Sequence, residues 1–107
     1  MTSQIKESDW KLLRQLEPLA LDRFCQRVLA EVKQVTSRST KSHHQRFLDV
    51  FRLIINRNKD LAAAFDDLRR SNAILKLAAI KSHDLLTDEE FSRFSLETRE
   101  AVNIWLK

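Results

Sequence analysis

Glycine is absent from this 107-residue chain. At an average usage of about 7%, roughly seven would be expected. A Walker-type phosphate loop, a dinucleotide-binding turn and a glycine nucleophile elbow all need backbone positions that only glycine fills comfortably. Tight Asn-Gly hairpins go with them, which argues against a β-meander or barrel. A single cysteine, Cys25, makes no internal disulfide, and nothing points to an oxidising compartment. Its neighbours Leu21, Phe24, Val28 and Val32 fall at helical spacing, so Cys25 reads as a small apolar side chain in a helix face rather than a reactive thiol. Long apolar runs are missing too. The longest, Leu61–Phe65 and Leu77–Ile80, are far short of the roughly 20 residues of a membrane span. Met1 to Trp10 contains no apolar stretch resembling a signal peptide. The expectation is a cytoplasmic protein with no membrane partner.

What is present is helical. The chain is 43% hydrophobic and 32% charged with a formal net charge of +4, which fits one globular domain over residues 1–107. Ser8 is placed to cap a first helix, which Pro18 is expected to end near Leu16, with a second helix starting at the proline. Apolar residues at 21, 24, 25, 28, 32 and 35 give that second helix one apolar face. The polar stretch Thr36–Ser42 reads as a loop, with Ser39, Thr40 or Ser42 as the next cap. Beyond it, Phe47, Ile54, Leu61, Leu68 and Leu75 recur every seven residues, with Phe51, Asn58, Phe65 and Asn72 at the accompanying a positions. The spacing predicts one long helix over about 42–82, with 56–60 as the place where it would break and Asp60 as the cap there. Thr87 and Glu90 form a capping box, flanked by Leu86 and Phe91 at the spacing of a hydrophobic staple. Ser95 caps a last helix, Leu96 to Leu106. The fold expected is an all-α, compact bundle of about five helices built around the long one.

The heptads carry the functional inference. Asparagine at a positions of paired helices fixes register and favours dimers. Phe47, Phe51, Ile54, Asn58, Leu61, Phe65, Leu68, Asn72 and Leu75 are therefore the candidate homodimer seam, although the same periodicity also serves an intrachain core. A straight 40-residue helix would be about 60 Å long, more than its shorter neighbours can cover, so part of its stripe would need a second subunit. The chain reads as a non-catalytic protein–protein interaction or regulatory module, with itself or another protein as partner.

Charge gives the alternative. No acid lies between Glu31 and Asp49, while Lys33, Arg38, Lys41 and Arg46 are joined there by His43 and His44. This basic 33–46 region is the candidate nucleic-acid or ribosome-associated surface. Within it no aromatic side chain is interleaved for base stacking. His43 and His44 diverge by about 100° on a helix, with no further ligand four residues on, so no metal site and no cofactor are expected. The acidic neighbours Asp66–Asp67 and Glu89–Glu90 diverge likewise, and no catalytic constellation emerges.

The segments Ala64-Phe-Asp-Asp-Leu-Arg-Arg-Ser-Asn72 and Arg93-Phe-Ser-Leu-Glu-Thr-Arg99, within His43–Val102, resemble a small uncharacterised group of bacterial helical proteins. Some of that group carry a peptide-chain-release-factor label, which implies translation termination. Release factors act through a Gly-Gly-Gln loop, which a chain without glycine does not contain. The resemblance therefore brings no activity and no site residue.

Overall fold

In the computed structural model, which describes residues 5–106, the chain runs as one helix, α1, from Glu7 to Thr36, straight through Pro18. The break expected near Leu16 does not occur. Trp10, Leu13, Leu16, Ala20 and Phe24 form a buried row on both sides of the proline. Pro18 itself faces outward, as does Arg14, whose carbonyl loses its helical partner. Packing on the inner side outweighs one missing hydrogen bond on the wet side. Ser8 lies within the first turn and is not its cap. The capping position is Lys6, without a side-chain hydrogen bond.

After a short loop, α2 spans His43–Phe65, and Ser42 is its cap, its Oγ accepting from the Gln45 N–H at 3.0 Å. The expected 42–82 helix is divided, and the division falls at 66–72 rather than 56–60; Asp60 lies inside α2. Asp66 turns extended with ψ 144°, which ends the helix, and Asp67 after it is left-handed with φ 59°. Asn72 then secures the bend, donating to the Asp67 carbonyl at 2.7 Å and accepting from the Arg69 N–H at 2.8 Å. A single 3-10 turn, Arg70–Asn72, leads into α3, Ala73–Ser82. Leu68 packs against the core within the bend, so the seven-residue spacing passes through a gap in the helix.

α3 closes on a Schellman motif. Leu85 N–H bonds to the Ile80 carbonyl, Asp84 N–H to that of Lys81, and Asp84 is left-handed with φ 58°. In a chain without glycine, aspartate fills both left-handed positions found among the described residues. Two short elements complete the five helices: α4, Asp88–Ser92, with the Thr87–Glu90 capping box, and α5, Leu96–Trp105, capped by Ser95.

α1 and α2 form an antiparallel hairpin, shown by the pairs Thr36 with Arg46, Glu31 with Arg57 and Phe24 with Phe65. α3, α4 and α5 gather at its base, around Leu77, Ile80, Leu85, Phe94 and Val102. Residues 25–60 project from this head as a two-helix arm. The molecule measures 55 × 25 × 25 Å with a radius of gyration of 16.7 Å, against about 13 Å for a compact chain of this length.

Candidate functional site

Two rows of side chains run along α2 in the arm. Arg46, Val50, Leu53, Arg57, Asp60 and Ala64, at steps of three and four, are half-buried or buried. This row faces α1. The Arg57 guanidinium grips the Glu31 carboxylate with both Nε and Nη2, at 2.9 and 2.8 Å, holding Glu31 below the usual carboxylate range. Arg46 donates Nη1 to the Thr36 carbonyl at 2.6 Å and Nη2 to His43 Nδ1 at 2.8 Å. The seam of the arm thus contains two arginines, each engaged.

Turned about 100° from it is the more apolar row, and it is exposed. Phe47 is 66% exposed, Phe51 56% and Ile54 43%; Asn58 and Ile55 are exposed beside them. On the same side α1 presents Leu29, 66% exposed, and half-buried Cys25. Between the helices lies a hollow of about 240 Å³ lined by Phe24, Cys25, Val28, Leu29, Ile54, Arg57, Asn58 and Leu61. On the opposite side of the hairpin, the corresponding hollow is lined chiefly by polar side chains: Arg27, Glu31, Arg57, Asp60 and His83. The arm has one greasy side and one polar side.

The predicted seam residues divide accordingly. Phe47, Phe51, Ile54 and Asn58 lie on the exposed side of the arm, while Leu61, Phe65 and Leu68 pack into or against the head. Asn72 is occupied with the 66–72 bend, and Leu75 lies at the far end, beside Ile104 and Trp105 on a hollow between α3 and α5. Phe47 to Asn58 are thus brought together with residues of α1, and the last two members are elsewhere.

The predicted basic residues cluster at the tip. Lys33, Arg38, Lys41, His43 and His44 are exposed and Arg46 half-buried. Lys41 is paired with Asp49 at 2.9 Å; its hydrogen bond and that of Gln45 hold Asp49 below its ordinary range. Leu29 and Ile55 lie exposed on the apolar side of the arm, outside the seven-residue spacing that marks Phe47, Phe51, Ile54 and Asn58. A charge count over the arm finds Arg52 and Lys59 as well, exposed on the face of α2 turned away from α1. Residues 25–60 hold eight Lys and Arg against three acids, so the arm carries +5 against a net charge of +4, and the rest of the chain, with eleven basic and twelve acidic side chains, −1.

What this surface can do is bury apolar side chains. The chain exposes 7276 Å², whereas a compact monomer of 12.6 kDa exposes about 6,200 Å². The excess, about 1,000 Å², accompanies the elongated 55 × 25 × 25 Å shape that the projecting arm gives the molecule. No helix among the described residues is long and apolar enough to cross a membrane. No family model, no curated protein and no solved structure matches the chain.

Proposed function

We propose that this chain is a non-catalytic helical interaction module that binds a partner helix along the apolar side of its arm. The observation that supports the reading is the exposed row Phe47, Phe51 and Ile54 with Leu29 opposite, flanking a hollow of about 240 Å³. A contiguous apolar strip of this kind on a chain with its own complete core is characteristic of an interface. The seven-residue spacing and Asn58 favour a second copy of the chain as occupant. Photo-crosslinking in the living host tests the module itself. A benzophenone side chain at position 51 is expected to give a discrete adduct, and one at Asn56, exposed on another side of α2, none. Equal or absent adducts at both positions would overturn the reading, and an adduct of twice the chain's mass would identify a homodimer.

A second reading, a nucleic-acid or ribosome-associated protein, is favoured by one observation. Phe47 lies beside His43 and Arg46 on a small hollow at the tip, supplying a stacking surface next to the basic 33–46 region. Binding of single-stranded RNA that weakens as salt rises, and more shallowly after Arg38 and Lys41 become Ala, would support it. No binding at low salt removes it.

A further inference from the structure

The bend between α2 and α3 is held by side chains alone. No proline or glycine lies between His43 and Ser82. Asp67 is left-handed, a conformation that glycine takes more readily than a residue with a Cβ. Asn72 secures it, bonding the Asp67 carbonyl and the Arg69 N–H. Arg70 closes the clasp from outside, holding the Glu7 carboxylate of α1 with Nε at 3.0 Å and Nη2 at 2.9 Å, over the Trp10 ring.

The same residues also suit a helix. Asp66 precedes Arg69 and Arg70 by three and four positions, and Asp67 precedes Arg70 by three. This acid-first spacing pairs charges on a helix surface. Built straight, His43–Ser82 would be one helix about 40 residues and 60 Å long. Its two inward faces would then point in opposite directions. Ala64 and Ala73 are nine residues apart, and Leu53 and Ile80 twenty-seven, each about 180° around a continuous helix. The face of α3 that packs in the head would turn away from the chain's own α1, and the surface that fits it is the α1 of a second copy.

We propose that the 66–72 bend is a hinge that straightens, joining α2 to α3 and exchanging α3–α5 between two copies of the chain. Each exchanged head packs on the partner's α1 through the contacts it makes within one chain, among them Arg23 with Glu90 and Asp9 with Ser95. Because those contacts are remade, the balance between the two forms rests on the hinge, and a short hinge under strain favours exchange. The closed form keeps the Asn72 and Glu7–Arg70 bonds with Asp67 left-handed. The exchanged form gains helix hydrogen bonds and the Asp–Arg spacing, and rising concentration favours it. It makes no use of the apolar side of the arm, so it stands or falls apart from the docking reading.

The test uses Asp67→Ala/Asn72→Ala, which disfavours the bend and favours a helix, and Asp67→Gly, which eases the left-handed position. At high micromolar concentration the double variant should sediment at twice the chain's 12.6 kDa and Asp67→Gly as a monomer. Mixing identifies the exchange itself. Arg23→Glu and Glu90→Arg are placed in separate copies of the double variant, where each alone sets like charges together. Only a mixed, exchanged dimer restores opposite charges at both contacts. After the two are combined in urea and refolded, native mass spectrometry should find mixed dimers well above the half that random pairing gives. Dimers in random proportion would place the contact elsewhere and overturn the proposal, as would a double variant that stays monomeric. Should the double variant not fold, the two charge reversals in the native hinge, refolded together at high concentration, give the same reading. Mixed dimers in excess support exchange there, and monomers alone or random pairing overturn it.

Discussion

Arg23 of α1 and Glu90 of α4 meet as a two-pronged ion pair, Nη1 to Oε1 at 2.7 Å and Nη2 to Oε2 at 2.9 Å. Arg23 also donates to the Leu85 carbonyl at 2.8 Å, and Glu90 Oε1 accepts from the Thr87 N–H, completing the capping box. One carboxylate thus closes a five-residue helix and fastens it to the longest helix in the chain. α4 is too short to stand alone, and this contact shows what holds it against the head.

The pair makes a pH prediction. The Arg23 guanidinium and the Thr87 N–H lower Glu90 from its usual 4.5 to about 2. A carboxyl depressed in the folded state contributes stability that is fully present above pH 4.5 and fades as pH falls toward 2. Both partners are partly exposed, so the contribution is about 1–2 kcal/mol. Glu90→Gln is expected to cost that much in urea unfolding at pH 7 and to converge with the native chain near pH 2.

Asp9 ties the two ends of the domain together. It is only 3% exposed, and its carboxylate accepts from the Ser95 N–H at 3.0 Å, Ser95 Oγ at 2.6 Å and Thr98 Oγ1 at 2.7 Å. Burial pushes its pKa up, but the hydrogen bonds from Ser95 and Thr98 outweigh burial and hold it below 3.8. Asp9→Ala leaves three donors without their partner and should cost about 2–3 kcal/mol by urea titration. Asp9→Asn, which retains one acceptor oxygen, should cost less.

Two backbone positions should improve on replacement. Pro18 lies mid-helix on the solvent side, with its ring exposed. Pro18→Ala restores the hydrogen bond to Arg14 and should stabilise the chain by about 1–3 kcal/mol. Asp84, left-handed at the end of α3, should tolerate glycine with a gain of about 0.5–1 kcal/mol. Both are read as rises in Tm, and a fall at position 18 would show that the proline shapes α1.

The five helices were legible because their termini carry local chemistry: Ser42, Thr87 with Glu90, and Ser95 each cap the helix they precede. Interruptions were not. Pro18 breaks a helix only where packing on both sides does not hold it, and Trp10, Leu13, Ala20 and Phe24 do hold it. The bend at 66–72 is hidden because Leu61, Leu68 and Leu75 keep a seven-residue spacing across it, and because aspartate gives a weaker stop signal than glycine. The seam of the arm was hidden by polarity. Its inner row includes Arg57 and Asp60, which a sequence reader assigns to solvent, and only Glu31 on the facing helix makes Arg57 acceptable there. The most apolar row of α2 is therefore the one left outside.

That inversion separates stability from binding along one helix. Phe51 is 56% exposed and Leu53, two residues on, turns toward α1. Phe51→Ser removes an apolar group already in water and should change unfolding free energy by no more than about 0.5 kcal/mol. Leu53→Ala removes packing from the hairpin seam and should cost about 1–2 kcal/mol, less than a fully buried leucine because the site is half-open. Crosslinking should show the opposite order, lost in Phe51→Ser and retained in Leu53→Ala at temperatures where both remain folded. If both variants destabilised equally, α2 would be turned differently against α1, with its phenylalanines part of the core. If both remained stable and bound a partner as the native chain does, the exposed strip would have no role in recognition.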